Sequence, residues 1–135
     1  MIKQIGHVAL TVEDMDASLH FYCEVLQFEK AFELEDDGGD PWIVYLKVCD
    51  GQFLELFYGG RNKAPQVSEP IGFNHYCLDV DDIGIVARQI RENGWELDVE
   101  PQVGKDHNQQ CWVKDPDGNR IEFMQLSPES PQMKS

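Results

Sequence analysis

The chain repeats itself. His7-Val8-Ala9-Leu10-Thr11-Val12-Glu13-Asp14 aligns with His75-Tyr76-Cys77-Leu78-Asp79-Val80-Asp81-Asp82. Further on, Asp50-Gly51-Gln52-Phe53-Leu54-Glu55-Leu56-Phe57 aligns with Asp117-Gly118-Asn119-Arg120-Ile121-Glu122-Phe123-Met124. The two His are 68 residues apart and the two Glu 67. A duplication of this kind restricts the fold to two copies of one supersecondary unit. Each Asp-Gly pair suits a hairpin turn, because Gly accepts a positive φ without steric penalty. The Glu that follows then falls at a fixed phase of the next strand.

The period of the apolar residues fills in the unit. Residues 2–12 alternate, with Val8, Leu10 and Val12 opposite His7, Ala9 and Thr11, and predict a strand. Asp14 or Asp16 can cap a helix to about Leu26, whose Leu19, Tyr22, Cys23, Val25 and Leu26 recur at helical spacing. Strands follow at Phe28–Leu34, Trp42–Val48 and Phe53–Tyr58. Phe53, Glu55 and Phe57 share one face of the last of these, and Leu54, Leu56 and Tyr58 the other. The second copy runs from Phe73 with the same order: a strand carrying His75, Cys77 and Asp79 on one face, a helix from about Asp82 that stops at Asn93-Gly94, then strands within 95–103, 109–114 and after Gly118. The organisation expected is one domain over 1–135: a first βαβββ module over about 2–58, a linker over 59–72 rich in Gly and Pro, a second module over about 73–126, and a frayed tail over 127–135. The class is α+β.

Composition narrows the function. A net charge of −14 argues against nucleic acid and anionic membrane as partners. No apolar run is long enough for a transmembrane helix, and the first residues lack the layout of a signal peptide, so a cytoplasmic location is expected. Cys23, Cys49, Cys77 and Cys111 form no Cys-x-x-Cys pair and read as free thiols. The acidic loop at Asp36-Asp37-Gly38-Gly39-Asp40 lacks the ligand spacing of a calcium-binding EF-hand. His20 falls toward the polar side of its helix.

His7, Glu55, His75 and Glu122 are the candidate metal ligands. Glu55 stands between two aromatics on its strand, a costly place for an unpaired charge. The same two residue types recur at the same two places in both copies. Two imidazoles and two carboxylates suit a borderline divalent ion such as Zn²⁺, Ni²⁺, Co²⁺ or Fe²⁺. On an octahedral ion they leave two positions for water or substrate. Such an ion polarises a carbonyl or stabilises an enediolate, and a ligating Glu can serve as the base, which points to proton transfer next to a carbonyl. Ala9, Thr11, Phe53, Phe57, Cys77 and Met124 would line the pocket, with Asp106 and His107 at its mouth.

Gly6-His7-Val8, the helix Ser18-Leu19-His20-Phe21-Tyr22 through Val25-Leu26, the strand Gln52-Phe53-Leu54-Glu55-Leu56 and the turn Asp115-Pro116-Asp117-Gly118-Asn119-Arg120-Ile121-Glu122 resemble the vicinal oxygen chelate superfamily. Within it the chain most resembles bacterial glyoxalase I, the lactoylglutathione lyases, over about residues 3–126. The resemblance implies paired βαβββ modules and a homodimer with metal sites between subunits. It implies ligands at His7, Glu55, His75 and Glu122, with Glu122 as the base and Glu55 as its symmetric counterpart. The divalent ion it implies is Ni²⁺ or Zn²⁺, with Co²⁺, Fe²⁺ or Mn²⁺ as alternatives. The reaction it implies turns the hemithioacetal of methylglyoxal into S-lactoylglutathione through an enediolate.

Three positions depart from the glyoxalase I pattern. Thr11 stands where an Arg usually follows the first His, Gly59 where an Asn usually contacts glutathione, and Gln27 where a Gly usually follows the first helix. The alternatives are an epimerase resembling methylmalonyl-CoA epimerase, a small sugar-ketone isomerase, and a ligand-sequestering protein resembling bleomycin-resistance proteins. An extradiol dioxygenase, with a His/His/Glu iron site, would leave Glu55 without a role.

Overall fold

The computed structural model describes residues 1–63, 67–68 and 71–135. It divides into two compact units, Met1–Pro65 and Gln66–Ser135. Of the linker expected over 59–72, residues 64–66 and 69–70 lie outside the described residues.

The first unit contains β1 (His7–Thr11), a helix beginning as α1 (Met15–Leu19), then β2 (Glu29–Glu35), β3 (Pro41–Cys49) and β4 (Gln52–Phe57). The strand order is β1-β4-β3-β2. β1 runs parallel to β4, and the other pairs are antiparallel. Asp14 caps α1 by accepting from the Ala17 amide at 3.1 Å. The helix does not continue in α geometry to Leu26. It widens into a π-helical stretch, His20–Val25, and the Leu26 amide donates to the Phe21 carbonyl. Gln27 then takes a left-handed conformation, φ 62°, at the place where the resemblance implies a Gly. This backbone is strained for a residue with a Cβ.

The second unit contains β5 (Tyr76–Asp79), α2 (Ile83–Glu92), β6 (Val99–Val103), β7 (Gln109–Lys114) and β8 (Arg120–Gln125). Its order, β5-β8-β7-β6, repeats the first sheet, again with one parallel pair. Asp82 caps α2 through the Ile85 amide at 2.9 Å. Asn93 and Gly94 end it, with Gly94 at φ 81°. α2 packs against β6, β7 and β8. The architecture is the expected α+β pair of βαβββ modules.

Each sheet has one closed face. Val44, Leu46, Leu54 and Leu56 are fully buried on the first, as are Cys111, Val113 and Ile121 on the second. The helices are buried through Phe21, Tyr22 and Val25, and through Ile83, Ala87 and Ile90. Register puts the other parity on the opposite face: His7, Ala9, Thr11, Tyr45, Phe53, Glu55 and Phe57 in the first unit. In the second unit Cys77, Asp79, Gln110, Trp112, Arg120, Glu122 and Met124 share that face. Both Glu therefore rise from the face that the helix does not cover.

Two expectations fail locally. β1 begins at His7 and β5 at Tyr76, so the residues leading into each strand are irregular. The tail is not frayed. Residues 129–134 form turns, Ser130 is fully buried, and buried Asn108 grips the tail from the other side of the chain. Its Oδ1 accepts from the Ser127 amide at 2.8 Å, and its Nδ2 donates to Asp106 Oδ2 at 2.9 Å and to Gln132 Oε1. The tail has too few apolar residues to predict docking by periodicity, and the contact that holds it is polar. The acidic loop is closed as a turn, with Asp36 Oδ1 accepting from the amides of Gly38 and Asp40 at 2.8 and 3.0 Å.

Candidate active site

The two aspartyl turns fix where the carboxylates point. Asp115 is buried, and its Oδ1 accepts from the amides of Asp117 at 3.0 Å and Asn119 at 2.8 Å. Its Oδ2 accepts from the Asn119 side chain at 2.9 Å. Gly118 sits at φ 86° and Gly51 at φ 76°, so the chain reverses at both Asp-Gly pairs as the sequence requires. β8 and β4 leave these turns in the same phase, which sets Glu122 and Glu55.

Each module then pairs one His with one Glu. In the first, His7 Nδ1 lies 3.2 Å from Glu55 Oε1. In the second, His75 Nε2 lies 3.1 Å from Glu122 Oε2. The carboxylates are the sheltered partners: the Glu55 side chain is 7% exposed and that of Glu122 13%. His75 is further fixed by Asn74, whose Oδ1 is 2.6 Å from Nδ1. A proton held there leaves Nε2 as the lone-pair nitrogen, the form a metal ligand needs. Within each unit the set stops at two, since among the described residues no three His, Cys, Asp or Glu side chains group to hold an ion.

One aromatic residue completes each half, and spacing along a single strand singles out neither. Tyr45 is the register partner of Glu55, and Trp112 of Glu122. The Tyr45 hydroxyl donates to the Glu55 carboxylate, and this hydrogen bond, aided by burial, raises the phenol above its ordinary range. The Trp112 ring lies 4.6 Å from the His75 ring, edge to face. The repeat already held this signal: each aromatic stands ten residues before its Glu, as the Asp-Gly pairs do at a shorter spacing. Hydrophobic periodicity alone assigned both to ordinary strand positions.

The remaining pocket candidates divide. Ala9 and Thr11 are exposed on the site face of β1, and Phe53 and Phe57 are half-buried beside Glu55. Phe53 and Tyr45 meet at 6.2 Å between ring centroids, with Phe32 stacked on Tyr45 at 4.3 Å, so this half presents an aromatic surface. Cys77 pairs with Glu122 across β5 and β8. The residue is exposed as a whole, but partial desolvation of its sulfur, then the Glu122 charge, pushes this thiol up to about 12, which keeps it neutral. Met124 is buried, with the Asn108 amide at 3.3 Å from its sulfur. His107 is exposed in the turn before β7 at φ 69°. Asp106, next to it, is hydrogen-bonded to Asn108, and its charge is felt at the Cys77 thiol beside Glu122.

The donor set fits a divalent cation. A nearly buried carboxylate held by one imidazole and one phenol is short of positive charge, and the second is paired with one imidazole. Imidazole nitrogen with carboxylate oxygen is a ligand chemistry shared by Zn²⁺, Ni²⁺, Co²⁺, Fe²⁺ and Mn²⁺.

Known proteins resemble this chain in sequence and in fold. A glyoxalase family protein from Enterococcus faecalis superposes with a TM-score of 0.77 at 29% identity, covering 90% of this chain and 97% of that one. A probable lactoylglutathione lyase of Synechocystis is 30% identical over 125 residues, 90% of this chain and 94% of its own length. The lactoylglutathione lyase of Haemophilus influenzae is 30% identical over 127 residues, 90% and 92% of the two chains. Among the described residues no helix is long and apolar enough to cross a membrane. The family described as the Glyoxalase/Bleomycin resistance protein/Dioxygenase superfamily matches residues 4–123, from just before the first His to just past the second Glu, and the chain belongs to it.

Proposed function

We propose that the chain is a metal-dependent lyase or isomerase of glyoxalase I type, which moves a proton next to a carbonyl through an enediolate. The hemithioacetal of methylglyoxal and glutathione is its first substrate candidate, with S-lactoylglutathione as product. The observation that carries this reading is the repeated pairing of a His with a sheltered Glu, at 3.2 and 3.1 Å, on the open face of each module. The names of the Synechocystis and Haemophilus relatives support the same chemistry.

His7, Glu55, His75 and Glu122 would hold one divalent ion, Ni²⁺ or Zn²⁺ first, and the resemblance implies that a homodimer brings the two pairs together. When bound, the ion supplies polarisation of the substrate oxygens. Everything else falls to the chain. Glu122 accepts the proton and returns it to the neighbouring carbon, because its carboxylate is the less enclosed of the two and, among the described residues, no hydroxyl holds it. Glu55, tied to Tyr45, keeps its geometry and serves as a fixed ligand. The neutral Cys77 thiol lies beside Glu122 and offers it a weak hydrogen bond without a competing negative charge. In each half the aromatic neighbours, Phe53 and Phe57 beside Glu55 and Trp112 beside His75, would keep water from the carboxylate.

A second reading keeps the chemistry and changes the carrier. Thr11 and Gly59 provide neither the Arg nor the Asn through which the glyoxalase pattern meets glutathione. An epimerase resembling methylmalonyl-CoA epimerase, or an isomerase of a small sugar ketone, would use the same proton transfer.

Apo-protein reloaded separately with Ni²⁺ and Zn²⁺ is expected to form S-lactoylglutathione from methylglyoxal and glutathione. Absence of turnover at full metal occupancy would reject glutathione and favour the second reading. Absence of metal-dependent turnover on every carbonyl acid and ketone tried, with tight binding of an intact ligand instead, would favour a sequestering protein.

The ligand set has its own test. His7→Ala and His75→Ala are each expected to weaken metal binding by at least about 100-fold, since loss of even an outer-shell partner commonly costs 10- to 100-fold. Metal-to-protein ratios after dialysis measure this directly. Unchanged stoichiometry in both variants would remove the quartet as the site.

A further inference from the structure

We propose that Arg120 holds a carboxylate of the substrate, placed within a few bonds of the carbon whose proton Glu122 moves. This inference rests on the reading of the site as one that stabilises an enediolate, and it narrows the substrate class.

Arg120 opens β8 two residues before Glu122, so both side chains leave the same face of the strand, about 7 Å apart at the backbone. Its guanidinium carbon lies over the Trp112 ring, 4.4 Å from the centroid. The same indole touches the His75 ring, and its Nε1 donates to Gln110 Oε1 at 2.7 Å. One aromatic plate thus positions both the candidate ligand His75 and the guanidinium. Stacking uses the face of a guanidinium and leaves its N–H donors at the rim.

Those donors meet no protein acid. The chain has 25 carboxylates against 11 Lys and Arg, yet among the described residues none forms an ion pair with Arg120, while Lys30, Lys47, Arg91 and Lys114 each do so with an acid nearby. Lys114, the register partner of Arg120, is engaged by Asp98 at 3.1 Å. Among the described residues Arg120 is thus a half-buried cation on this face with no ion-pair partner, set against the Trp112 ring.

The anion that suits it is planar and singly charged. A guanidinium takes a carboxylate through two parallel hydrogen bonds. A phosphate dianion would need a second cation, and the one across the ladder, Lys114, is already engaged by Asp98. A short carbonyl compound bearing its own carboxylate fits this spacing better than a peptide thiol whose charges lie far along the chain from the reacting carbon.

Hydroxamates present two adjacent oxygens in the manner of an enediolate, and succinic monohydroxamic acid adds a carboxylate a short distance away. Calorimetry of the Zn²⁺-loaded protein compares it with the analogue whose carboxylate is an amide. The expected preference for the acid is about 10- to 100-fold, the range of a charge-assisted hydrogen bond. Arg120→Gln brings the acid's affinity down to that of the amide, and Arg120→Lys, which keeps the charge and loses the fork, retains part of the preference. The proposal is overturned if wild type shows no preference, or if the preference survives Arg120→Gln; binding of both hydroxamates in those cases leaves the enediolate reading standing. If neither hydroxamate binds the loaded protein, that reading falls and this inference falls with it.

Discussion

Glu122→Gln reduces turnover by about 10²- to 10⁴-fold at full metal occupancy, the range expected on loss of a positioned general base. That corresponds to about 3–5 kcal/mol on the barrier. The substitution keeps the length and shape of the side chain, and the amide can still reach His75, which now lies 3.1 Å from the carboxylate. What it removes is the ability to accept and return a proton. The matching Glu55→Gln variant separates base from ligand. Glu55 is the more sheltered carboxylate and is held by the Tyr45 hydroxyl, so its replacement acts first on metal affinity and recovers part of the activity when metal is added in excess. Rates are read as kcat with occupancy measured on the same samples. Full turnover by Glu122→Gln would exclude it as the base, and a deeper loss in Glu55→Gln at equal occupancy would exchange the two roles.

The carboxylates were legible because their phase is set by a local rule. An Asp-Gly turn that admits positive φ at Gly51 and Gly118 starts the next strand at one register, and the strand period of two carries it four residues to the Glu. The same arithmetic gave the faces of β4 and β5 and, with them, the α+β class. The neighbours of the carboxylates were less legible. Tyr45 reaches Glu55, and Trp112 reaches His75, the partner of Glu122, from positions set by cross-strand register and not by spacing along one strand. The internal repeat contained that register, since a residue pair conserved between modules must occupy equivalent places in both sheets. The π-helical widening at His20–Val25 has no composition signal, because α and π turns bury nearly the same residues.

Asn108→Ala is expected to lower stability by about 2–4 kcal/mol, an effect larger than most single polar substitutions cause. Asn108 is fully buried in a turn before β7 and links three segments of the second unit. Its carbonyl satisfies the Ser127 amide, and its amide group satisfies Asp106 and Gln132 while packing on Met124. Truncation leaves these groups without partners in a place that water reaches poorly, which costs more than the hydrogen bonds themselves contribute. The tail should then open, since residues 127–135 add little apolar surface of their own. A drop in Tm of roughly 10 °C follows from the size of the chain, and amide exchange should accelerate at Ser130, Met133 and Lys134, which now bond within the tail. Removing residues 127–135 supplies the second arm. If the clasp acts through the tail, Asn108→Ala costs much less in the shortened chain than in the full one, a coupling that a double-mutant cycle reads. An equal cost in both would place the effect inside the 104–108 turn, and an unchanged Tm on truncation would mean that the tail contributes nothing to the fold. Because Met124 lies on the same sheet face as Glu122, opening of the tail also exposes one end of that face. A rise in KM alongside the lost stability would then mark the tail as a wall of the substrate pocket.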